Sequence, residues 1–237
     1  MGEIIKFPIN EEDTNKLILL TANNVIADST NELLINYEEI EERLSNLLKH
    51  ETMENRVMLL SGLCFFTDAY VIGEEDDWEK YIMQGTKVKS YAVFTNLNKI
   101  PKKIVKERNY TENSFRNIVD ILNKKNEKYE LYINPGKKEG YIFTSDLIKI
   151  FFDLADLAIK FADERMKEGY QGEELTPIMF ERFDFRNVEI TLKNGNIIKT
   201  QVQAPTFGDE LNARYTYDFD GEEKEIFKKD IAFIKEI

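Results

Sequence analysis

The longest periodic pattern in the chain lies between residues 145 and 167 and predicts an amphipathic helix. Charged residues recur there at spacings of three and four, and nearly all of the remaining positions are apolar. The apolar face is so wide that we expect the helix to lie in the core. The alternative is that part of this face lies against a partner subunit. The charged positions are Lys149, Asp153, Asp156, Lys160, Asp163, Glu164 and Lys167.

Two short strands are predicted directly before this helix. Tyr129–Asn134 is rich in aromatic and apolar residues and is ended by Pro135-Gly136, which cannot continue a ladder of hydrogen bonds. Tyr141–Phe143 is a second apolar run, and Thr144-Ser145-Asp146 after it is typical of a helix start. This stretch therefore predicts a strand, a turn, a strand and a long helix.

The segments before it give shorter patterns. Residues 1–36 contain apolar runs that fit either strands or a helix, so residues 1–45 are poorly assigned as a whole and only the helix that starts at Glu38 is clearer. Between Asn96 and Pro101 a short helix is expected, because proline ends a helix. The other predicted segments are helices over 38–49, 52–60 and 111–125, and strands over 65–72 and 87–94. The helix over 111–125 is expected to face inward with Phe115, Ile118, Val119, Ile121 and Leu122.

The end of the chain has only strand signals. Residues 171–177 have the composition of a linker, and residues 178–237 alternate between apolar and polar positions. Asn194-Gly195 and Asp220-Gly221 are typical of tight hairpin turns. Four or five short strands in so few residues predict a small, closed or nearly closed β-barrel. The predicted fold is thus α+β, with a mixed α/β domain of a central sheet and flanking helices over 1–170, followed by an all-β domain.

Composition narrows the class of protein. Of the 237 residues, 42% are hydrophobic, which suffices for a core, and the start of the chain has no pattern of a signal peptide. The net charge is −12, and residues 1–80 alone hold 18 acidic against 6 basic residues. Such a front segment repels phosphate backbones, so binding of nucleic acid is disfavoured. A cytoplasmic protein with no membrane association is expected.

Few residues offer reactive chemistry. Cys64 lies among apolar residues that raise a thiol pKa, and the single histidine, His50, lies in a charged segment. Beside Trp78, the acidic residues Glu74, Glu75, Asp76 and Asp77 are candidates for holding a hard cation. They lack the alternating ligands and the glycine of a calcium loop, so a solvated acidic loop is the preferred interpretation. No cofactor and no obvious small-molecule ligand are indicated.

Residues from about 45 to 165 resemble the N-terminal domain of the SseB family, the enhanced-serine-sensitivity type. The motifs that carry this resemblance are the strand Phe65–Ile72 ending in a loop, Tyr91-Ala-Val-Phe94-Thr95, and Leu131–Gly136 followed by Tyr141–Thr144 and a long helix. The resemblance implies a mixed α/β domain with no assigned reaction, and it transfers no catalytic residue. The tail, with Val188–Asn196 and Asp230–Ile234, is similar to small SH3-like or Sm-like barrels.

These observations favour a non-catalytic interaction protein that binds a protein partner or itself. None of the common catalytic or nucleotide-binding motifs occurs in the sequence. One alternative is a nucleic-acid-associated adaptor that uses the barrel, in which Tyr215 and Tyr217 stack on bases and Arg214 pairs with phosphate. A core role for both tyrosines is preferred. A hydrolase with a carboxylate site is the second alternative. The candidate interaction residues are Trp78, Tyr215, Tyr217 and Arg214.

Overall fold

A computed structural model describes residues 11–30, 35–74, 77–79, 81–82, 88–135, 140–203 and 213–237. Helices and strands follow one another in mixed order, which confirms the predicted α+β class. The chain separates into two compact units, Met1–Ala158 and Ile159–Ile237. Within the described ranges, no helix has the combination of length and hydropathy that crossing a membrane requires.

The described part of the first unit begins with three helices, and side-chain caps precede the second and third. Asn36 accepts hydrogen bonds from the backbone N–H groups of Glu38 and Glu39, and Thr52 accepts one from Asn55. These caps satisfy N–H groups that have no partner within the helix. The helices are α1 Glu11–Thr30, α2 Tyr37–Lys49 and α3 Met53–Phe65.

Helices α1 and α3 correct the sequence-based assignment. The ambiguous front segment is helical over Glu11–Thr30, where Leu17, Thr21, Val25 and Asp28 form a buried seam at helical spacing. The predicted strand over 65–72 is wrong in its first half, because α3 ends at Phe65 and the strand begins only at Ala69. The residues of α3 up to Cys64 are buried on several sides of the helix. Packing therefore overrides the preference of the aromatic run for a strand.

A six-stranded sheet is the centre of the first unit. Its strands lie in the order β4-β1-β3-β5-β6, and β2 also pairs with β3. Strands β3 and β5 run parallel and all other pairs are antiparallel. The carboxyl ends of β3 and β5 therefore meet at one edge. The strands are β1 Ala69–Ile72, β2 Tyr81–Ile82, β3 Lys89–Phe94, β4 Tyr110–Asn113, β5 Tyr129–Ile133 and β6 Tyr141–Thr144.

Two of the remaining α-helices overlap predicted ones, whereas the helix after Pro101 was not predicted. Residues 97–99 form a 3₁₀ helix, and Pro101 is the residue directly before helix α4 Lys102–Glu107. The helix predicted over 111–125 begins only at Phe115, as α5 Phe115–Lys124, because residues 110–113 pair with β1 as a strand. The five residues expected to face inward are all buried, which confirms that part of the prediction. Helix α6, Ser145–Glu168, follows β6 directly.

The second unit contains a four-stranded sheet and a two-stranded sheet. The larger has the order β7-β12-β8-β9, the smaller is the hairpin β10-β11, and one bridge joins Gln203 to Thr216. The described strands do not close into a barrel, so the SH3-like detail is not confirmed. Its elements are β7 Tyr170–Gln171, α7 Pro177–Glu181, β8 Asn187–Leu192, β9 Ile197–Gln201, β10 Arg214–Phe219, β11 Glu222–Phe227 and β12 Ile231–Glu236.

The segment assigned to a linker, 171–177, belongs to the second unit in the structure. Gln171 pairs with Phe233 in the sheet, Gly172 lies against the backbone of Ile231, and Leu175 is buried in the core of this unit. The glycine of this segment, Gly172, is required by close packing instead.

Candidate interaction surface

Helix α6 exposes an apolar stripe on the side that faces away from the core. Ile150, Leu157 and Phe161 are 47%, 63% and 70% exposed, and Leu147 and Leu154 are half-buried. These five residues follow one another at spacings of three, four, three and four. This spacing places the five side chains along one side of the helix. The residues through which two paired helices contact each other have the same spacing. We call them the α6 outer stripe.

Another side of α6, which borders the outer stripe at Phe151, is a core face. Ile148, Phe151, Phe152 and Ala155 are buried, and the ring of Phe152 lies 6.3 Å from that of Phe115 on α5. The expectation of a core helix is therefore confirmed for this side. The outer stripe contributes little to that core, and large apolar side chains aligned in solvent are typical of an interaction surface.

A groove with charged walls lies between α5 and the first half of α6. Its volume is about 300 Å³. Arg116 pairs with Asp156 at 2.8 Å, and Lys128 pairs with Asp146 at 2.9 Å. Both carboxylates are about two-thirds exposed, so the groove does not provide the desolvation that prepares a carboxyl group for acid catalysis. The charged wall residues are Arg116, Asp120, Glu127, Lys128, Asp146, Lys149, Asp153 and Asp156.

Two of the motifs that carry the SseB resemblance, Tyr91–Thr95 and Leu131–Gly136, meet at the carboxyl ends of β3 and β5. The side-chain oxygen of Asn134 accepts hydrogen bonds from the backbone N–H of Thr95 at 3.0 Å and from its hydroxyl at 3.3 Å. The Thr95 hydroxyl lies 3.2 Å from Glu41, which pairs with Lys99 at 3.1 Å. Asn134 and Thr95 are buried. Because these buried polar groups satisfy one another, the cluster locks two loops together and offers no open ligand position.

Asn134 is expected to be important for stability. Its backbone φ of +48° lies in the left-handed region, which asparagine tolerates better than most residues. Replacing Asn134 by alanine should lower the free energy of unfolding by about 2 to 3 kcal/mol, since the buried N–H of Thr95 loses its acceptor. Urea titration followed by fluorescence of Trp78, the single tryptophan, measures this loss.

Asn126 provides the matched control. It also has a positive φ, +55°, but it is exposed. Asn126→Ala therefore repeats the backbone cost of about 1 kcal/mol without breaking the bonds to Thr95. Equal losses for the two variants would contradict the role assigned to the Asn134 side chain.

A second polar cluster joins the start of α3 to β6. Arg56 donates a hydrogen bond to the hydroxyl oxygen of Tyr141 at 2.9 Å, and Tyr141 donates to Glu51 at 2.8 Å. Burial, together with the bond to Glu51, raises the pKa of Tyr141 to about 12. Hydrogen bonds from Tyr141 and Arg56 lower the pKa of Glu51. Tyr141 therefore remains a neutral donor and has a structural role.

The acidic loop does not form a metal site in the part of the chain that is described. Glu75 and Asp76 lie outside the described residues. Glu74 is exposed and accepts a hydrogen bond from Asn109 at 2.8 Å, and Asp77 is also exposed. Within the described ranges, no three potential metal-binding side chains come together. Cys64 is buried, and this burial raises its pKa to about 12, as its apolar neighbours predicted.

The aromatic residues named as interaction candidates lie mostly inside the molecule. Trp78 is buried, with the ammonium of Lys125 5.9 Å from the centre of its ring. Tyr215 is buried, stacks on Phe180 at 3.8 Å and donates a hydrogen bond to its carbonyl at 2.7 Å. As corrections, neither Trp78 nor Tyr215 presents a surface to a partner. The preferred core role of Tyr215 is confirmed.

The other two candidates are partly accessible. Tyr217 is half-buried and packs against the core of the second unit. Arg214 pairs with Glu225 at 2.7 Å. The carboxylate neutralises the charge that a phosphate contact would use. The sequence did not determine which residues of the helix over 145–167 face a partner. The candidate surface in the structure is the α6 outer stripe and not the four candidate residues.

Comparison of the sequence with protein-family models finds no match, and comparisons with curated proteins and with solved structures find none. The SseB resemblance therefore stays a prediction. The fold and the surface define an α+β protein of two compact units that carries an exposed apolar helix stripe.

Proposed function

We propose that this chain is a non-catalytic interaction protein that binds a protein partner or itself through the α6 outer stripe. The observation that carries the proposal is the exposure of Ile150, Leu157 and Phe161 on one side of a 24-residue helix. Binding partners commonly meet a helix through apolar side chains at this spacing. Burying such side chains is favourable by about 25 cal/mol for each Å² of apolar surface removed from water.

The surroundings of the stripe also support a protein partner. Charged side chains lie directly beside it, among them Asp153 and Lys160. An apolar strip with a polar rim is the usual anatomy of a protein interface. The predicted SseB-like domain, which has no assigned reaction, fits the same function.

The second unit is proposed to be an auxiliary module of SH3-like type. The succession of the β8–β9 hairpin, the β10–β11 hairpin, a 3₁₀ helix over residues 228–230 and β12 beside β8 supports this proposal. The nucleic-acid alternative has less support, because Tyr215 is inaccessible to bases and the chain has a net charge of −12.

Site-specific photocrosslinking tests the proposed surface. A photoreactive phenylalanine analogue in place of Leu157 should give protein adducts in the native extract, because this position lies in the middle of the outer stripe. The same analogue at Lys193, an exposed position in the β8–β9 turn, is the control and should give few adducts. The adducts are detected on denaturing gels and identified by mass spectrometry.

Adducts at Leu157 that disappear when Ile150 is also replaced by aspartate would support the surface. Equal adduct yields at Leu157 and Lys193, or none at Leu157, would contradict it. The mass of the adduct distinguishes a second copy of the chain from another protein.

A further inference from the structure

We propose that the occupant of the α6 outer stripe is a second copy of this chain, with the two α6 helices antiparallel. The inference rests on the proposed function and specifies the partner. It follows from the order of charges along the helix. Next to the stripe, a row of residues at seven-residue spacing consists of Asp146, Asp153, Lys160 and Lys167. All four are exposed.

This charged row is acidic in its first half and basic in its second half. When two copies lie antiparallel, the row of one helix faces the same row of the other in reverse order. Asp153 then faces Lys160 of the second copy. Asp146 lies opposite Lys167 of the second copy but already pairs with Lys128 of its own chain, so the Asp153–Lys160 pair carries the argument.

In a parallel pair this charged row would instead face the other flank of the stripe. There, Phe151 and Ala158 offer the aspartates no cation, and Arg165 lies opposite Lys160. The charges therefore select the antiparallel arrangement.

The apolar residues agree with the same register. In an antiparallel pair, the residue at the first position of a heptad on one helix contacts the residue at the fourth position of a heptad on the other helix. With Asp153 opposite Lys160, Leu154 meets Leu157 of the second copy, and Ile150 meets its Phe161. The two-fold axis passes close to residues 155–156, near the middle of α6. One register therefore matches four of the five apolar residues together with the charges, and Leu147 at the end of the stripe lies opposite Glu164.

Such an interface is expected to be weak. A single pair of helices buries less surface than a standard protein complex, so the dissociation constant should be of the order of 10 µM. Three exposed side chains of the stripe become covered in each copy. Because the flanking pairs remain partly in water, the association should weaken as the salt concentration rises.

Sedimentation equilibrium of the full chain tests the proposal with charge reversals. Asp153→Lys alone, and Lys160→Asp alone, should each weaken self-association about fivefold to tenfold at low salt, because each change affects both symmetry-related pairs. The double variant D153K/K160D carries both charges exchanged. It should restore the association to within about twofold of the original protein.

Glu222→Lys is the matched control for Asp153→Lys. It makes the same change in net charge at an exposed position of β11, far from α6 in the sequence. This variant should leave self-association unchanged. Circular dichroism spectra and melting curves establish that each variant is folded. Restoration by the double variant, with no effect of Glu222→Lys, supports the antiparallel pair.

Three results would overturn this inference. The first is a monomer at all concentrations up to about 1 mM. The second is a double variant as weak as the single ones, which excludes this register. The third is an equal effect of Glu222→Lys, which would mean that overall charge and not the α6 flank controls association. A monomer that still gives photoadducts with another protein at Leu157 refutes self-pairing and leaves the proposed interaction function in place.

Discussion

Replacing Asp28 by alanine should lower the free energy of unfolding by about 3 kcal/mol, because it leaves the buried guanidinium of Arg43 without its main counter-ion. Asp28 lies on α1 and Arg43 on α2, and two hydrogen bonds of 2.6 and 2.9 Å join them. Ser61 on α3 donates a third hydrogen bond to Asp28 at 2.5 Å. Both charged side chains are about one-tenth exposed, so water replaces little of the lost interaction.

The experiment is a double-mutant cycle followed by urea denaturation. Asp28→Ala, Arg43→Met and the double variant are compared, with fluorescence of Trp78 in the same unit as the signal. The double variant should be more stable than the sum of the single losses predicts, because neither charge is then left buried alone. Strictly additive losses would contradict the proposed pairing.

The second large effect is expected at Gly172. A Cβ atom at this position would lie 2.1 Å from the carbonyl oxygen of Ile231, which is far inside van der Waals contact. The neighbour is backbone in β12 and cannot move as a flexible side chain does. Gly172→Ala should therefore destabilise the second unit by about 3 kcal/mol, the upper range for overpacking. Hydrogen exchange of peptides from β8 and β12 measures the loss.

Gly195 is the control for this substitution. It lies in the β8–β9 turn with a φ of +89°, and a Cβ there would meet no heavy atom within 4 Å. Gly195→Ala should cost only about 1 kcal/mol, from the left-handed backbone alone. If the two alanine variants exchange at the same rate, the close contact with Ile231 does not have the assigned effect.

The acidic residues within 1–80 show that tertiary structure decides which charged residues pair. The acidic excess of residues 1–80 leaves carboxylates that can pair with basic side chains further along the chain. The structure contains such pairs, between Glu41 and Lys99 and between Glu79 and Arg108. Which residues pair could not be predicted, because the pairing depends on how α2 and the loops around β3 come together.

Local signals predicted those elements whose own residues define their ends. The inward face of α5 and the helix after Thr144 were correct because one consistent period runs through each. The β4 strand and the end of α3 were missed because long-range partners decide them. Residues 110–113 become a strand by pairing with β1, and the aromatic residue Phe65 stays helical in a buried helix.

The candidate surface was predictable only in part. The sequence identified α6 and named a partner face as an alternative to a core helix. It could not separate Phe151 and Phe152, which are buried, from Leu157 and Phe161, which are exposed, because all are apolar. Likewise, Trp78 and Tyr215 have the residue types of a recognition surface, and only packing shows that they are internal.

The sequence by itself determined the α+β class, the long helix, the hairpin turns of the tail and the absence of common catalytic motifs. These properties depend on periodicity and on residues close together in the chain. Tertiary structure alone decided that Asn134 meets Thr95, that Gly172 packs into a sheet and that α6 keeps an apolar stripe in solvent. The physical reason is that burial depends on which distant segments cover a residue, and local spacing does not contain that information.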